Sequence, residues 1–193
     1  MAERRQRFIE AGIQLFGTVG YHATTVRSLC AQSALTSRYF YESFDSIEAL
    51  LIASYRHLMG EFMDRVRAKL VKVPSKVEVM AETGIRCYFE AVRDPLFARI
   101  ILLEVLGVSP TVDAASIENT RASGQFLMDF LHSVSPQMSL SKAEKELIGV
   151  SLAGALTFAA LQWMTSGYKL PIDNVIKSCM SIALGTASAL KKQ

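Results

Sequence analysis

The sequence of 193 residues has few of the residues that mark disulfide-rich, turn-rich or disordered proteins. Its three cysteines stand far apart without metal-ligand spacing, and their odd number favours a reducing, cytoplasmic compartment. Five prolines and eleven glycines are too few for a sandwich with many turns or for a low-complexity chain. With 50% hydrophobic and 20% charged residues, we expect a folded protein of one large domain or two small ones.

Motifs of catalysis and of metal binding are also missing. His22, His57 and His132 are isolated, with no carboxylate or cysteine at metal-binding spacing. The sequence has no glycine-rich phosphate loop, nucleophile elbow or HExxH pattern. We therefore predict no catalytic residue, no metal and no cofactor. The net charge of +3 permits a polyanionic partner without requiring one.

One uncharged stretch raises the question of a membrane. No charged residue occurs from Leu147 to Tyr168, and Leu147–Met164 is long enough to span a bilayer. Polar side chains interrupt it, and a helix that is apolar all round is buried in either solvent. We expect a helix packed in protein and no membrane partner. The alternative, a membrane-associated helical protein, depends on this segment alone.

Helical periodicity runs through the chain, and neither strand alternation nor an internal repeat is visible. The N-terminal prediction is a helix over Ala2–Thr18, a helix over Val26–Gln32 capped by Thr25, a short helix from Thr36 or Ser37 to about Ser43, and a long helix opened by Ser46. The later prediction includes helices over Leu96–Leu106, Ser116–Val134 and Asp173–Leu190, and one that starts at a capping box of Ser141 and Glu144. The predicted fold class is all-α, with about nine helices.

About the first fifty residues carry the pattern of a helix-turn-helix. Cys30, Ala31 and Ala34 are small enough to let two short helices close on each other, while Leu35 and Phe40 supply apolar contacts. The second helix then exposes an arginine suited to guanine edges, hydroxyls suited to phosphate and an aromatic ring suited to a thymine methyl. Such a helix fits the major groove of DNA.

The same segment resembles the TetR family of transcriptional regulators over roughly residues 5–52. The resemblance is carried by Leu15-Phe16, Gly20-Tyr21, Thr24-Thr25-Val26, Ala34-Leu35-Thr36, Tyr41, Phe44 and Glu48-Ala49-Leu50-Leu51. It implies a helix-turn-helix DNA-binding domain at residues 1–46 and a helical ligand-binding and dimerisation domain at residues 47–193. The DNA contacts we expect by position are Thr25, Arg27, Thr36, Ser37, Arg38, Tyr39 and Tyr41.

Three positions depart from the family pattern. Ala34 replaces the usual turn glycine, Ser43 replaces a histidine, and Ile47 replaces a lysine that faces phosphate in the family. Residues 1–50 also hold five arginines against five acidic residues, so their net charge is zero. We expect a left-handed backbone at Ala34 and weaker or more salt-sensitive DNA binding. A helical small-molecule-binding protein or enzyme that has lost DNA binding remains the alternative.

The resemblance further implies a small-molecule effector bound in a mainly apolar pocket. The expected pocket residues are Tyr88, Phe89, Phe97, Arg99, Arg121, Phe126, Gln162 and Trp163. Because the sequence has no concentrated charge cluster, a hydrophobic ligand such as an acyl chain or aromatic compound is favoured over a phosphorylated one.

The resemblance also implies a homodimer. The last two predicted helices combine apolar and small residues around most of their circumference, so we expect them to pack against their copies as a four-helix bundle. The expected interface residues are Leu152, Ala155, Leu156, Ala159, Trp163, Ile176, Met180 and Ala183. The predicted function is that of a repressor that a ligand releases from a palindromic operator.

Overall fold

The computed structural model describes residues 2–134 and 140–190, and within them the chain forms nine α-helices, one π-helix and no strand. The elements are α1 (Ala2–Thr18), α2 (Val26–Ser33), α3 (Ser37–Ser43), α4 (Ile47–Leu70), α5 (Val77–Val92), α6 (Pro95–Arg99), the π-helix (Ile100–Glu104), α7 (Pro110–Val134), α8 (Lys142–Thr165) and α9 (Ile172–Leu190). The predicted all-α fold is confirmed, and α1 has the predicted bounds.

Two predicted boundaries are wrong. The helix expected over Leu96–Leu106 ends as an α-helix at Arg99 and continues as the π-helix. Helix α7 starts at Pro110, six positions before the predicted Ser116, because the preceding turn is capped. The Ser109 hydroxyl accepts a hydrogen bond from the amide of Val112 at 3.2 Å, and proline is well suited to the first turn of a helix.

The described residues divide into two compact units. Unit 1 comprises the residues up to Phe62 together with Arg93–Ser116, and unit 2 comprises Met63–Val92 and the residues from Ile117 onward. Helices α4 and α7 contribute to both units. Unit 1 therefore combines the helix-turn-helix segment with α6 and the π-helix.

Aromatic packing and a close helix contact organise unit 1. Phe8 and Phe16 of α1 are fully buried together with Phe40 of α3. Gly17 of α1 lies directly against α6, since a Cβ added there would be 2.9 Å from the Cα of Leu96. Helix α6 is thus held close to the end of α1, next to the start of the helix-turn-helix.

Unit 2 is held by a glycine contact and an aromatic cluster. Gly124 of α7 and Gly149 of α8 touch through their backbones, and a Cβ added at Gly124 would lie 2.5 Å from the carbonyl carbon of Gly149. The ring centroids of Phe89 and Trp163 are 5.7 Å apart, and those of Trp163 and Tyr168 are 4.9 Å apart. The Trp163 indole also donates a hydrogen bond to the carbonyl of residue 170 at 2.7 Å.

Helix α8 buries only one of its sides. Among the described residues, α8 is the one helix that is long and apolar enough to cross a membrane, by length and composition. Of its most apolar stretch of 18 residues, 28% is buried. Small residues such as Gly149, Ala153 and Ala160 point inward, whereas Leu147 is 69% exposed and Phe158 is 75% exposed. Packing within the chain therefore covers one side of this helix, together with Trp163, whereas Leu147 and Phe158 face outward.

Candidate DNA-binding site

Thr25 is the N-cap of α2, as predicted, and Ser28 completes a capping box with it. The Thr25 hydroxyl accepts a hydrogen bond from the amide of Ser28 at 3.1 Å, and the Ser28 hydroxyl accepts one from the amide of Thr25 at 3.0 Å. Thr25 and Arg27 are both exposed. An exposed helix N-terminus of this kind is suited to a phosphate.

The turn between α2 and α3 depends on Ala34. Its backbone is left-handed, with φ 52° and ψ 41°, which confirms the expected conformation. The next amide, that of Leu35, donates to the carbonyl of Cys30 at 3.2 Å and closes the end of α2. An alanine in this conformation carries a steric cost that glycine would not have.

One buried ring sets the orientation of α3. Phe40 is fully buried, and its ring packs edge-to-face on Phe8 with 5.4 Å between ring centroids. The opposite side of this short helix therefore faces outward, and the Arg38 side chain is 84% exposed. Of the seven predicted DNA contacts, six are exposed and Tyr39 is half-buried. The structure thus gathers these residues on α2, the turn and α3.

Glu42, near the end of α3, is exposed as the sequence predicted, although it was not among the expected DNA contacts. Its Oε1 accepts a hydrogen bond from Arg38 Nε at 2.9 Å, and its Oε2 is 4.0 Å from Nη1 of Arg4. The guanidinium of Arg4 also lies 3.9 Å above the ring of Tyr39. The i,i+4 spacing was a signal for the Arg38–Glu42 pair. The approach of Arg4 from α1 had no such signal because the partners are distant in sequence.

A clamp of Arg99 and Glu104 fixes the turn between α1 and α2. Arg99 donates to Glu104 at 2.7 Å and to the carbonyl of Thr18, while the 12%-exposed Glu104 carboxylate accepts from the amide of Tyr21 at 2.6 Å. Gly20 within this turn has φ +91° and no room for a Cβ, since Arg99 Nη2 would lie 2.6 Å away. Arg99, one of the expected pocket residues, thus contacts both the π-helix and the end of α1 at this turn.

Burial also affects two titratable groups of unit 1. Burial raises the pKa of the Tyr21 phenol, and the negative charge of Glu48 raises it further. Burial likewise raises the pKa of the Cys30 thiol on α2. Both side chains therefore stay neutral at physiological pH, and Cys30 acts as a small packing residue near the turn.

The expected ligand-pocket residues fall in both units. Phe97 packs in unit 1, with its ring 5.9 Å from that of Phe62. Tyr88, Phe89 and Trp163 come together in the interior of unit 2. The remaining three residues of unit 2 lie at or near the surface: Arg121 is 3.6 Å from Glu146, Gln162 is exposed, and Phe126 has the Arg67 guanidinium 5.7 Å from its ring centre.

Unit 1 contains a separate cleft of about 730 Å³ that sequence reasoning missed. Helices α1, α4 and α6 and the end of α2 line it, with polar residues that include Gln6, Glu10 and His57 and apolar residues that include Leu96 and Phe97. Phe97 is the one expected pocket residue on its wall. The residues that line the cleft are far apart in sequence, so no local sequence pattern predicted the cleft.

The expected dimer residues divide into two groups. Ala155 is exposed, and Leu152, Leu156, Ala159, Met180 and Ala183 are half-buried. Trp163 and Ile176 are instead buried within unit 2, where their side chains fill the interior, so they do not belong to the exposed face. Large exposed residues that were not in the expected set, Leu147, Phe158 and Ile182, extend this face.

Comparisons with known proteins agree with this geometry. Residues 8–54 match the family described as bacterial regulatory proteins, tetR family. The uncharacterized HTH-type transcriptional regulator YerO of Bacillus subtilis (strain 168) is 29% identical over 106 residues, a match that spans 53% of this chain and 36% of YerO. The chain thus matches little more than a third of that relative's length.

Solved structures share the fold across nearly the whole chain. The fatty acid degradation regulator FadR from Bacillus halodurans has a TM-score of 0.78 at 19% identity, covering 94% of this chain and 95% of that one. FadR from Bacillus subtilis, solved in complex with stearoyl-CoA, has a TM-score of 0.77 at 16% identity, covering 92% and 96%. The capped helix-turn-helix thus lies within the segment that matches the tetR family of bacterial regulatory proteins, and the chain shares the fold of these two FadR regulators.

Proposed function

We propose that this protein is a homodimeric transcriptional repressor that binds a palindromic operator and leaves it when a small hydrophobic effector binds. The observation that carries the proposal is the orientation of α3. Phe40 anchors one side of the helix in the core, so that Arg38 and its neighbours face outward. A short helix held in this way behind a left-handed turn is suited to the major groove.

A second copy of the chain allows the exposed side of α3 to bind both halves of a palindromic operator. One α3 reads a half-site, and its copy reads the symmetric half-site one helical turn of DNA away, about 34 Å along the axis. The outward face of α8, with Leu147, Ala155 and Phe158, supports the dimer because it leaves large apolar side chains in water. Covering that face and its copy removes this unfavourable exposure.

An acyl compound is the effector class we propose. Support comes from the FadR structure with stearoyl-CoA, which shares this fold, and from the aromatic interior of unit 2 formed by Tyr88, Phe89 and Trp163. The effector prefers a dimer in which the two reading helices no longer match successive major grooves. By reciprocity, operator DNA weakens effector binding by the same factor.

The deciding experiment is selection of bound duplexes from a random pool, followed by titration of the selected duplex. Stearoyl-CoA, stearate and free coenzyme A then serve as effector probes, because they separate the acyl chain from the nucleotide. We expect a palindromic sequence and its release by an acyl probe. Failure to enrich any sequence would contradict operator binding, and release by coenzyme A alone would contradict a hydrophobic effector.

The role of Arg38 is tested with the same duplex. Arg38→Ala is expected to cost about 1–3 kcal/mol of operator binding without loss of fold. Arg93→Ala removes the same charge from an exposed residue outside the helix-turn-helix and serves as the control. Equal affinities of both variants would remove Arg38 from the DNA contacts.

Retention on heparin at low salt separates the proposal from a binding protein without DNA affinity, and solubility without detergent separates it from a membrane protein.

A further inference from the structure

We propose that Glu42 is a specificity-determining residue that holds Arg38 in position for one base and restrains its binding to DNA of any sequence. This inference rests on the proposed function, since it assumes that Arg38 contacts DNA. Glu42 is 42% exposed and follows Arg38 by one helical turn, on the outward side of α3. It is thus an acidic residue within the surface that faces a polyanion.

The geometry of the pair defines the orienting role. Glu42 accepts a hydrogen bond from Nε of Arg38, at 2.9 Å, which fixes the direction of the guanidinium plane. The two terminal nitrogens are left for a bidentate contact, the arrangement that recognises the N7 and O6 atoms of guanine. A guanidinium that is already held in place loses less conformational entropy on binding. Its affinity for the correct base therefore increases more than its affinity for an incorrect one.

Arg4 lies beside the other oxygen of the carboxylate. Its Nη1 is 4.0 Å from Oε2 of Glu42, and its guanidinium stacks over Tyr39 of the same helix. Glu42 is therefore bridged between two arginines that come from different helices. Such a bridge limits rotation of the carboxylate and of Arg38 together, whereas an isolated i,i+4 pair on a surface would exchange freely with water.

The charge of Glu42 has a second effect. Arg38, Arg4 and Glu42 together carry a net charge of +1, so each phosphate near them meets less positive charge than two free arginines would present. A carboxylate near phosphate disfavours every duplex equally, but the oriented arginine recovers affinity only at its own base. Glu42 therefore lowers nonspecific binding and increases discrimination.

Two variants of Glu42 separate the charge from the hydrogen bond. Glu42→Gln removes the charge and keeps an acceptor, whereas Glu42→Ala removes both. Affinities are measured for the selected operator, for a random duplex and for operators with single base pairs replaced. Arg38→Ala identifies the base pair that Arg38 reads, because replacing that pair harms the parent and not this variant. Glu10→Gln, which removes a charge from an exposed residue of α1, is the control.

We expect Glu42→Gln to bind the random duplex about threefold more tightly and with a salt slope steeper by about one unit. Glu42→Ala should also lose about three- to tenfold of discrimination at the base pair of Arg38, and more than Glu42→Gln loses. Glu10→Gln should keep the parent discrimination.

Unchanged discrimination at that base pair in both Glu42 variants would overturn the inference. A loss at a different base pair would also overturn it, because Glu42 would then read a base itself. If Arg38→Ala binds the operator as tightly as the parent, Arg38 does not contact DNA, and the proposed function is contradicted at that point. That result is distinguishable from one in which Arg38 contacts DNA but Glu42 does not affect discrimination.

Discussion

Helices α3 and α8 both present much of their surface to solvent, but the side chains they expose differ in kind. Helix α3 has seven residues, buries the large ring of Phe40 and exposes polar and charged side chains such as Arg38 and Glu42. Helix α8 has 24 residues, buries small residues such as Gly149 and Ala153, and exposes Leu147 and Phe158. The partner that fits α3 is a charged polymer, whereas the partner that fits α8 is another apolar surface.

The difference shows what sets the inward side of a helix. On α3 one large apolar residue determines the packing, and its polar neighbours face outward as amphipathicity requires. On α8 the close backbone contact with α7 at Gly149 determines the inward side, because only small residues allow it. Leu147 and Phe158 are then directed outward, and their exposure is the reason to expect a second protein surface there.

The largest expected effect follows from a charge at the centre of that outward face. Ala155→Glu should abolish the dimer and operator binding, because it would bury an unpaired carboxylate between two apolar helices. Sedimentation and duplex titration measure the outcome. Ala122→Glu, at an exposed alanine of α7 in the same unit, should leave both properties unchanged. A variant at 155 that stays dimeric and binds DNA would show that α8 is not the interface.

The next effect tests the inward side of α8. Gly124→Ala is expected to lower the free energy of unfolding by about 3 kcal/mol, since the added Cβ would push against the backbone of α8 and not against a flexible side chain. Chemical denaturation measures the change. Gly84→Ala in α5 is the matched control, because nothing lies within 4 Å of its added Cβ. It should be neutral or stabilising by up to about 1 kcal/mol.

If the two glycine variants are equally stable, the close contact of α7 with α8 is not what directs α8. The outward position of Phe158 would then need another cause.

The two helices also differ in how much of them could be predicted from sequence. For α3, an N-cap at Thr36 or Ser37, the left-handed Ala34 and the apolar Phe40 are local signals. The last two are confirmed, and the N-cap is Thr36, without a side-chain hydrogen bond. For α8, the capping box of Ser141 and Glu144 is confirmed, but the inward side was not predictable. Apolar residues spread around the whole helix, so no periodicity distinguishes Trp163, which is buried, from Phe158, which is exposed.

Long-range polar contacts were beyond prediction for a related reason. The Glu104 carboxylate and the Tyr21 amide are separated by 83 positions, and Glu104 lies on the π-helix. No spacing rule connects such partners. The Arg99–Glu104 clamp and the bridge of Arg4 to Glu42 therefore became visible only in the fold, although both act on the helix-turn-helix that the sequence predicted.

A smaller effect is expected at the turn that orients α3. Ala34→Gly should raise the free energy of unfolding by up to about 1 kcal/mol, because glycine adopts the left-handed backbone without the strain of a Cβ. Ala31→Gly, in the middle of α2, should lower it by about 1 kcal/mol, since glycine is a poor helix former there. Thermal or chemical denaturation compares the two. If both variants are destabilised alike, the conformation of Ala34 carries no significant strain.

The smallest effect concerns Ile47, the first residue of α4, which follows α3 in the chain. Ile47→Lys should tighten binding to any duplex and steepen its salt dependence by about one unit, since the family resemblance places a phosphate-facing lysine at this position. The half-buried Ile47 can be replaced because a lysine stem packs on apolar neighbours while its ammonium reaches solvent. Leu106→Lys adds the same charge at an exposed residue beyond the π-helix, outside the helix-turn-helix, and should change the slope less. Equal slopes for these two variants would mean that position 47 does not face phosphate, and the DNA surface would then end at α3.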